Sequence, residues 1–498
     1  MSISIELWFK FKSTHLQKTI MNKKIIGGLA VLVLLGFASC QFMKSQPTEE
    51  IPVLVPLTPL PQDPFLEVYF NHSQVSSYSE PYRQVTRPGD DLEQLLVYNI
   101  NSARKTVDVA VQELRLPRIA QALVHRHRSG IKVRVIVENL YNRPLAKPSE
   151  RIALSPSQLA ALPKRERDRY AELLQLADAN KDGSLSDAEI ASGDALATVK
   201  NAGIPVIDDT ADGSKGSGLM HHKFVVIDGK TVIVTSANFT TSDIHGDFVS
   251  AESRGNPNNL LKLESSELAK VFSEEFALMW GDGPGGKPDS KFGVKKPARP
   301  VARVRVGGAT VAVQFSPSSA GTPLAETSNG LIDRTLASSS KSVNLALFVF
   351  SAQELANTLE RKSKQGVGIR ALIDSSFIYR PYSEGMDMMG ANLLNNCKLE
   401  VENRPWVKPL ATVGMPKLPA GDRLHHKFGV VDGKTVITGS HNWSKAANRT
   451  NDEAVLVIES ATVAAHFERE FDRLYQGAIL GLPQRIKQKM DSHKSECK

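Results

Sequence analysis

The sequence predicts an α/β protein in which two α/β/α sandwich domains follow one another, related by a pseudo-twofold axis. Three observations predict it. Short β-branched runs alternate with helical stretches over most of the 498 residues. The order of those stretches is repeated in the two halves of the chain. Within the repeat, HHKFVVIDGKTVIVTSAN at 221–238 recurs as HHKFGVVDGKTVITGSHN at 425–442.

Residues 1–40 read as a targeting segment. Lys23 and Lys24 precede the apolar run from Ile25 to Leu35, and Phe37-Ala38-Ser39 places small residues ahead of Cys40. The expectation is a bacterial secretory or lipoprotein signal, with Cys40 as the lipidation candidate and Met21 as an alternative start. The alternative is an uncleaved membrane anchor. Residues 41–64 are rich in proline and read as an extended spacer between the membrane surface and the folded part.

The first domain is expected over 65–280. TVDVAVQEL (106–114) reads as a buried strand, RIAQALVHRHRSGI (118–131) as a helix and KVRVIVEN (132–139) as a second strand. The second domain, 301–480, repeats the order with KSVNLALFVF (341–350), ELANTLERKSKQGV (354–367) and GIRALIDS (368–375). After each repeated motif comes an amphipathic helix, in which Phe272 and Phe276 correspond to Phe467 and Phe471. Residues 281–300, rich in Gly, Pro and Lys, read as a linker, and 481–498 as a polar tail.

The first half carries an insertion at about 155–195 that interrupts the α/β order. Its run from Asp178 to Glu189 has the spacing of an EF-hand loop. Asp178, Asn180 and Asp182 stand at positions 1, 3 and 5, Gly183 at 6, Ser184 at 7 and Glu189 at 12. Bound Ca2+ with a structural or regulatory role is expected there. The cysteines Cys40, Cys397 and Cys497 form neither a disulfide framework nor a zinc pattern. The net charge of +8 suits an anionic partner, lipid surface or nucleic acid, without separating the two.

In each motif copy two β-branched runs flank Asp-Gly-Lys, a hairpin signal. Residues two apart on a strand share a face, so His221 aligns with Lys223 and His425 with Lys427. The following turns return Ser236 and Asn238, or Ser440 and Asn442, towards the same spot. An imidazole, an ammonium, a hydroxyl and an amide, doubled, suit one phosphate held from two sides. Asp228 and Asp432 fall at the hairpin turns, where an aspartate bonds nearby backbone.

The doubled pattern H-x-K-x4-D-x6-G-[GS]-x-N resembles the HKD signature of the phospholipase D superfamily. The second copy matches throughout, with Gly439 and Ser440, while the first has Thr235 in place of glycine. The resemblance covers roughly 65–480 and implies an active site between the two domains, with His221, Lys223, Asp228, His425, Lys427 and Asp432 as signature residues. It implies His221 as the nucleophile that forms a phosphohistidine and His425 as general acid, although the near symmetry of the copies leaves the exchange of roles open. No cofactor is expected for that chemistry. The family's carboxylate behind the histidine is matched by Glu453, with Asp247 as a weaker counterpart in the first half. His245 reads as a surface histidine.

The expected function is hydrolysis of phospholipid headgroup phosphodiesters. The alternatives are a metal-independent nuclease and a cardiolipin-synthase-like transferase. Aromatic residues make up only 6% of the chain and do not interleave with basic ones, which disfavours a base-stacking surface. No obligate protein partner is implied.

Overall fold

The computed structural model describes residues 57–497 apart from 148–149, 151–152 and 215–216. The targeting segment, Cys40 and most of the spacer lie outside the described residues.

Two mixed sheets organise the chain. The first orders its strands Leu66–Phe70, Asn259–Glu264, Thr231–Thr235, Lys223–Ile227, Thr106–Val111, Lys132–Val137 and Val206–Asp208. The second runs Ala302–Val306, Ala309–Ser316, Asn451–Glu459, Thr435–Gly439, Lys427–Val431, Ser342–Leu347, Gly368–Ile373, Val413–Met415 and Ile479–Leu480. In both, the motif hairpin lies in the middle of the sheet. Its first strand runs antiparallel to the buried strand of its half, Val111 facing Lys223 and Leu347 facing Lys427. That buried strand pairs in parallel with the next one through an intervening helix, Pro117–Arg128 or Gln353–Lys364, as a β-α-β crossover requires. The α/β repeat read from the sequence is the fold.

The two halves share a core. Helices Ser266–Trp280 and Ala461–Tyr475 bring Phe272, Phe276, Phe467 and Phe471, all fully buried, into one cluster with side chains of both sheets. A further link crosses the seam. Leu219–Met220, immediately before the first motif, pairs in parallel with Asn451–Asp452 at the start of a second-half strand.

Several expectations change here. The stretch 281–300 is exposed over most of its length, as a linker would be, but is anchored at a few points. Phe292 is buried, and the Lys296 ammonium sits among Glu275, Asp452 and the Ser316 carbonyl. Lys296 neutralises buried carboxylates there, a role that composition does not reveal. The end of the spacer lies on the Ala461–Tyr475 helix, through the Thr58 carbonyl to Arg469 and the Pro61 carbonyl to His466. The polar tail is mostly a helix, Gln484–Glu496, followed by Cys497 in a disulfide with Cys397. The two cysteines are 100 positions apart, so their spacing gave no sign of it.

Candidate active site

Each motif strand begins at its lysine, Lys223–Ile227 and Lys427–Val431, with the histidine just ahead. The lysine ammonium folds back to donate to the carbonyl of that histidine, at 3.0 Å for Lys223 and 2.5 Å for Lys427. Lys223 also donates to Gln112 Oε1 at 3.2 Å, whereas Lys427 faces the ring of Phe348. All four side chains are buried. Burial, followed by the charges of both lysines, holds His221 and His425 well below the ordinary imidazole range. Burial likewise lowers Lys223 to about 8 and Lys427 well below its usual value, with Lys223 next among the causes for Lys427. Each histidine feels the lysine of the opposite half, so the doubled motif is one site.

The seam pairing fixes the first histidine. The His221 amide donates to the Asp452 carbonyl at 3.0 Å, in register with the strand pairing. That bond sets the ring beside the next residue, and His221 Nδ1 lies 2.7 Å from Glu453 Oε2. The carboxylate expected in the second half thus serves the histidine of the first. Burial raises Glu453 above the ordinary carboxylate range. His425 has a different partner. Its Nδ1 lies 3.0 Å from Asn258 Oδ1, with Asp243 Oδ1 further off at 3.6 Å.

The serines stand behind the histidines. Ser236 Oγ donates to Asn258 Oδ1 at 2.7 Å, and Ser440 Oγ accepts from the Ala454 amide at 3.1 Å beside Glu453. Both are fully buried, and their hydroxyls brace the partners of the histidines. The asparagines keep the expected role open. Oδ1 of Asn238 and of Asn442 is buried with no hydrogen-bond partner; an amide oxygen only accepts, so a phosphoryl oxygen would be met by the Nδ2 of either side chain. Asp228 and Asp432, carried with the signature residues, are structural. Asp228 accepts from the amides of Arg104, Lys105 and Thr106, and Asp432 from those of Ser340, Lys341 and Ser342. Each sits at φ +53° at the far end of a strand from its histidine.

Thr235 also finds its explanation. At the matching position, a Cβ on Gly439 would meet the Ala454 carbonyl at 2.2 Å. Thr235 instead donates its hydroxyl to the equivalent Asn259 carbonyl at 2.6 Å. Asp247 is not at the site, its carboxylate being bonded to Ser242. Nor is His245 on the surface: it is fully buried, with Nε2 on Glu93 at 2.9 Å and Nδ1 on the Tyr78 hydroxyl at 2.9 Å.

The insertion folds as helix Lys164–Ala177, a loop, and helix Asp187–Gly193. Asp178 accepts from the amides of Asp182 and Gly183, and Glu189 Oε1 from those of Ala179 and Asn180. Ser184 donates to Asp182. Among the described residues no group of three or more His, Cys, Asp or Glu is gathered to hold a metal ion. The insertion reaches the site through Glu172, which accepts from Thr241 at 2.5 Å, three residues after Asn238. Together with neighbouring loops it walls a cleft of about 570 Å³. Arg115, Arg143, Lys147, Arg165 and Arg169 line that cleft together with the carboxylates of Glu113, Glu166, Glu172 and Asp243, and Asn238 is part of its wall.

Two half-motifs closed into one pocket define the phospholipase D-like class of enzymes acting on phosphodiester bonds. A family model described as "Cardiolipin synthase, PLD-like domain" matches residues 96–280 and 332–475, and the chain belongs to that family. It is similar to the mitochondrial cardiolipin hydrolase of Xenopus tropicalis, 28% identical over 138 residues, which is 27% of this chain and 55% of that protein. For the Homo sapiens protein of the same name the figures are 27% over 175 residues, 35% and 62%. The chain therefore spans just over half the length of these curated relatives. Among solved structures, Nuc from Salmonella typhimurium is 20% identical with a TM-score of 0.27, covering 35% of this chain and 99% of that one. Phosphatidylserine synthase of Haemophilus influenzae is 12% identical with a TM-score of 0.49, covering 88% and 94%.

Proposed function

We propose that the protein hydrolyses phospholipid headgroup phosphodiesters through a phosphohistidine on His221. One observation carries this reading. Two buried imidazoles and two buried ammonium groups come together from the two halves, each histidine feeling both lysines and holding a partner on Nδ1. With Nδ1 so occupied, the lone pair of the neutral ring lies on Nε2. The His221 Nε2 lone pair attacks phosphorus, and the bond to the leaving oxygen breaks with its electron pair. That oxygen takes the Nε2 proton of His425, which acts here as the imidazolium, and departs as the alcohol, leaving His425 neutral with its proton on Nδ1. Water then attacks phosphorus and gives its proton to His425, while the phosphorus–nitrogen pair returns to His221. Lys223 and Lys427 meet the phosphoryl oxygens, whose negative charge relieves the cost of burying two cations.

The lipid substrate draws support from the names of the curated relatives. Export to a bacterial envelope, with Cys40 or an N-terminal anchor holding the enzyme at the membrane, is supported by the N-terminal sequence. The Cys397–Cys497 pair fits an oxidising compartment. No helix among the described residues is long and apolar enough to cross a membrane. Calcium at Asp178–Glu189 remains part of the proposal, as a clip on the insertion rather than a participant in turnover.

One assay tests these points together. The purified protein is incubated with phosphatidylcholine or phosphatidylglycerol vesicles and, separately, with single- and double-stranded DNA, each with Ca2+ or EDTA. Headgroup release without DNA cleavage, persisting in EDTA, is expected. DNA cleavage without headgroup release would replace the lipid reading with the nuclease one, and transfer of the phosphatidyl group to glycerol in place of water would make the enzyme a transferase.

A further inference from the structure

The two halves are least alike behind their histidines. The Ser440 amide bonds the Ala454 carbonyl, and the Ser236 amide bonds the Asn259 carbonyl, both at 3.1 Å. The residues one position earlier, Glu453 and Asn258, are therefore equivalent. An amide in the first half stands where the second half has a carboxylate. The sequence agrees once aligned backwards from the strand end, NNLLKLES at 258–265 against EAVLVIES at 453–460.

The orientation of the Asn258 amide is fixed. Its Nδ2 donates to the Asp243 carbonyl at 2.9 Å and to the Asn256 carbonyl at 3.0 Å, neither of which has a proton to offer. Its backbone amide is held by Asn71 Oδ1 at 2.8 Å. Oδ1 must then face Ser236 and the His425 ring, so that ring carries its proton on Nδ1. The residue is fully buried, which keeps bulk water from competing for that contact.

We propose that Asn258 is a positioning residue that holds His425 in the Nδ1–H tautomer without a charge of its own, and that the pairing of Glu453 with His221 and Asn258 with His425 divides the labour between the two histidines. This rests on the phosphodiesterase reading above. Phosphorylation at Nε2 turns the His221 ring into a cation, and the adjacent carboxylate offsets that charge. A proton donor has the opposite need. His425 must release its proton to the leaving oxygen and recover one from water, and an amide partner favours the imidazolium less than a carboxylate would. The other charged groups facing His425 are Asp243 at 3.6 Å, Lys427 on its own strand, Lys223 and His221 from the opposite half, and His426 on the far side of the strand. Asp243 is the carboxylate nearest that ring. Its two oxygens are already bonded to Asn256 Nδ2 and the Asn238 amide.

The test uses the intact protein, labelled with 15N in its histidine rings, and the variant Asn258→Asp. In the unaltered protein the His425 ring should show the Nδ1–H tautomer. In Asn258→Asp its protonation midpoint should rise by at least about one pH unit, with the alkaline limb of kcat moving by the same amount and KM little changed. An Nε2–H tautomer in the unaltered protein overturns the inference without any variant or assay, as does an unmoved midpoint in a folded variant. A quenched phosphoryl adduct found on His425 rather than His221 overturns the division of labour. If the unaltered protein turns over no phosphodiester, the proposed function falls and the division of labour falls with it. The tautomer measurement still decides whether Asn258 positions His425.

Discussion

His72 shows what burial does to an imidazole outside the catalytic pocket. Its Nε2 lies 2.7 Å from the Gly255 carbonyl, and burial, with the Arg473 charge next, lowers its pKa to about 3. The folded ring stays neutral while the unfolded chain takes up a proton below about pH 6.5. Its contribution to stability is thus whole above that pH and is lost as the pH falls towards 3, about 2 kcal/mol by pH 5. His72→Gln keeps a donor for the carbonyl and removes the titration. The melting temperature of that variant should therefore fall less steeply between about pH 7 and pH 5 than that of the unaltered protein. Equal slopes in the two proteins would contradict the burial account. At this scale the motif residues were legible because the chemistry dictates their spacing. Asn258 was not, because nine extra residues separate it from Asn238 relative to the second half, twenty positions against the eleven from Asn442 to Glu453. Asp247 stood nearer the expected distance and is not the partner.

The hairpins show why an element can be legible while the role of its residues is not. Asp228 and Asp432 belong to the signature, yet each spends its carboxylate on three backbone amides that open the neighbouring strand. For Asp432 burial opposes ionisation, but those amide donors prevail and push the pKa down to about 2. Asp432→Ala should destabilise the fold by about 1–3 kcal/mol, the cost of charge-assisted bonds lost at a half-exposed turn. Denaturant unfolding should show that loss, while kcat at low temperature stays within about threefold of the unaltered value. A loss of turnover of about 100-fold or more in a folded sample would return this residue to the catalytic set. The helix at Gln484–Glu496 was missed for another reason. It is polar apart from Ile486 and Met490, which pack on the second-half core, and one apolar pair and a distant cysteine were too little to announce it.

At the scale of the whole molecule the repeat foretold two α/β halves, and the structure adds how they interlock. The seam strand Leu219–Met220 and the buried Lys296 join the halves, and the Glu453 carboxylate crosses to His221. Such crossings depend on contacts between residues far apart in the chain, 232 positions for His221 and Glu453, which one sequence does not display. They make the site a property of both halves together. The insertion adds a wall of mixed charge to one half only, and through Glu172 and Thr241 it meets the segment that carries Asn238. This composite site is proposed to do covalent phosphoryl chemistry at His221. It is tested most directly by rapid acid-free quenching of the protein with a phosphodiester substrate, followed by mass spectrometry of its peptides. The account predicts a phosphoryl adduct on His221, absent from His221→Ala, whose turnover should fall by about 10³-fold or more. An adduct-free His221, or near-normal turnover in His221→Ala, would contradict it.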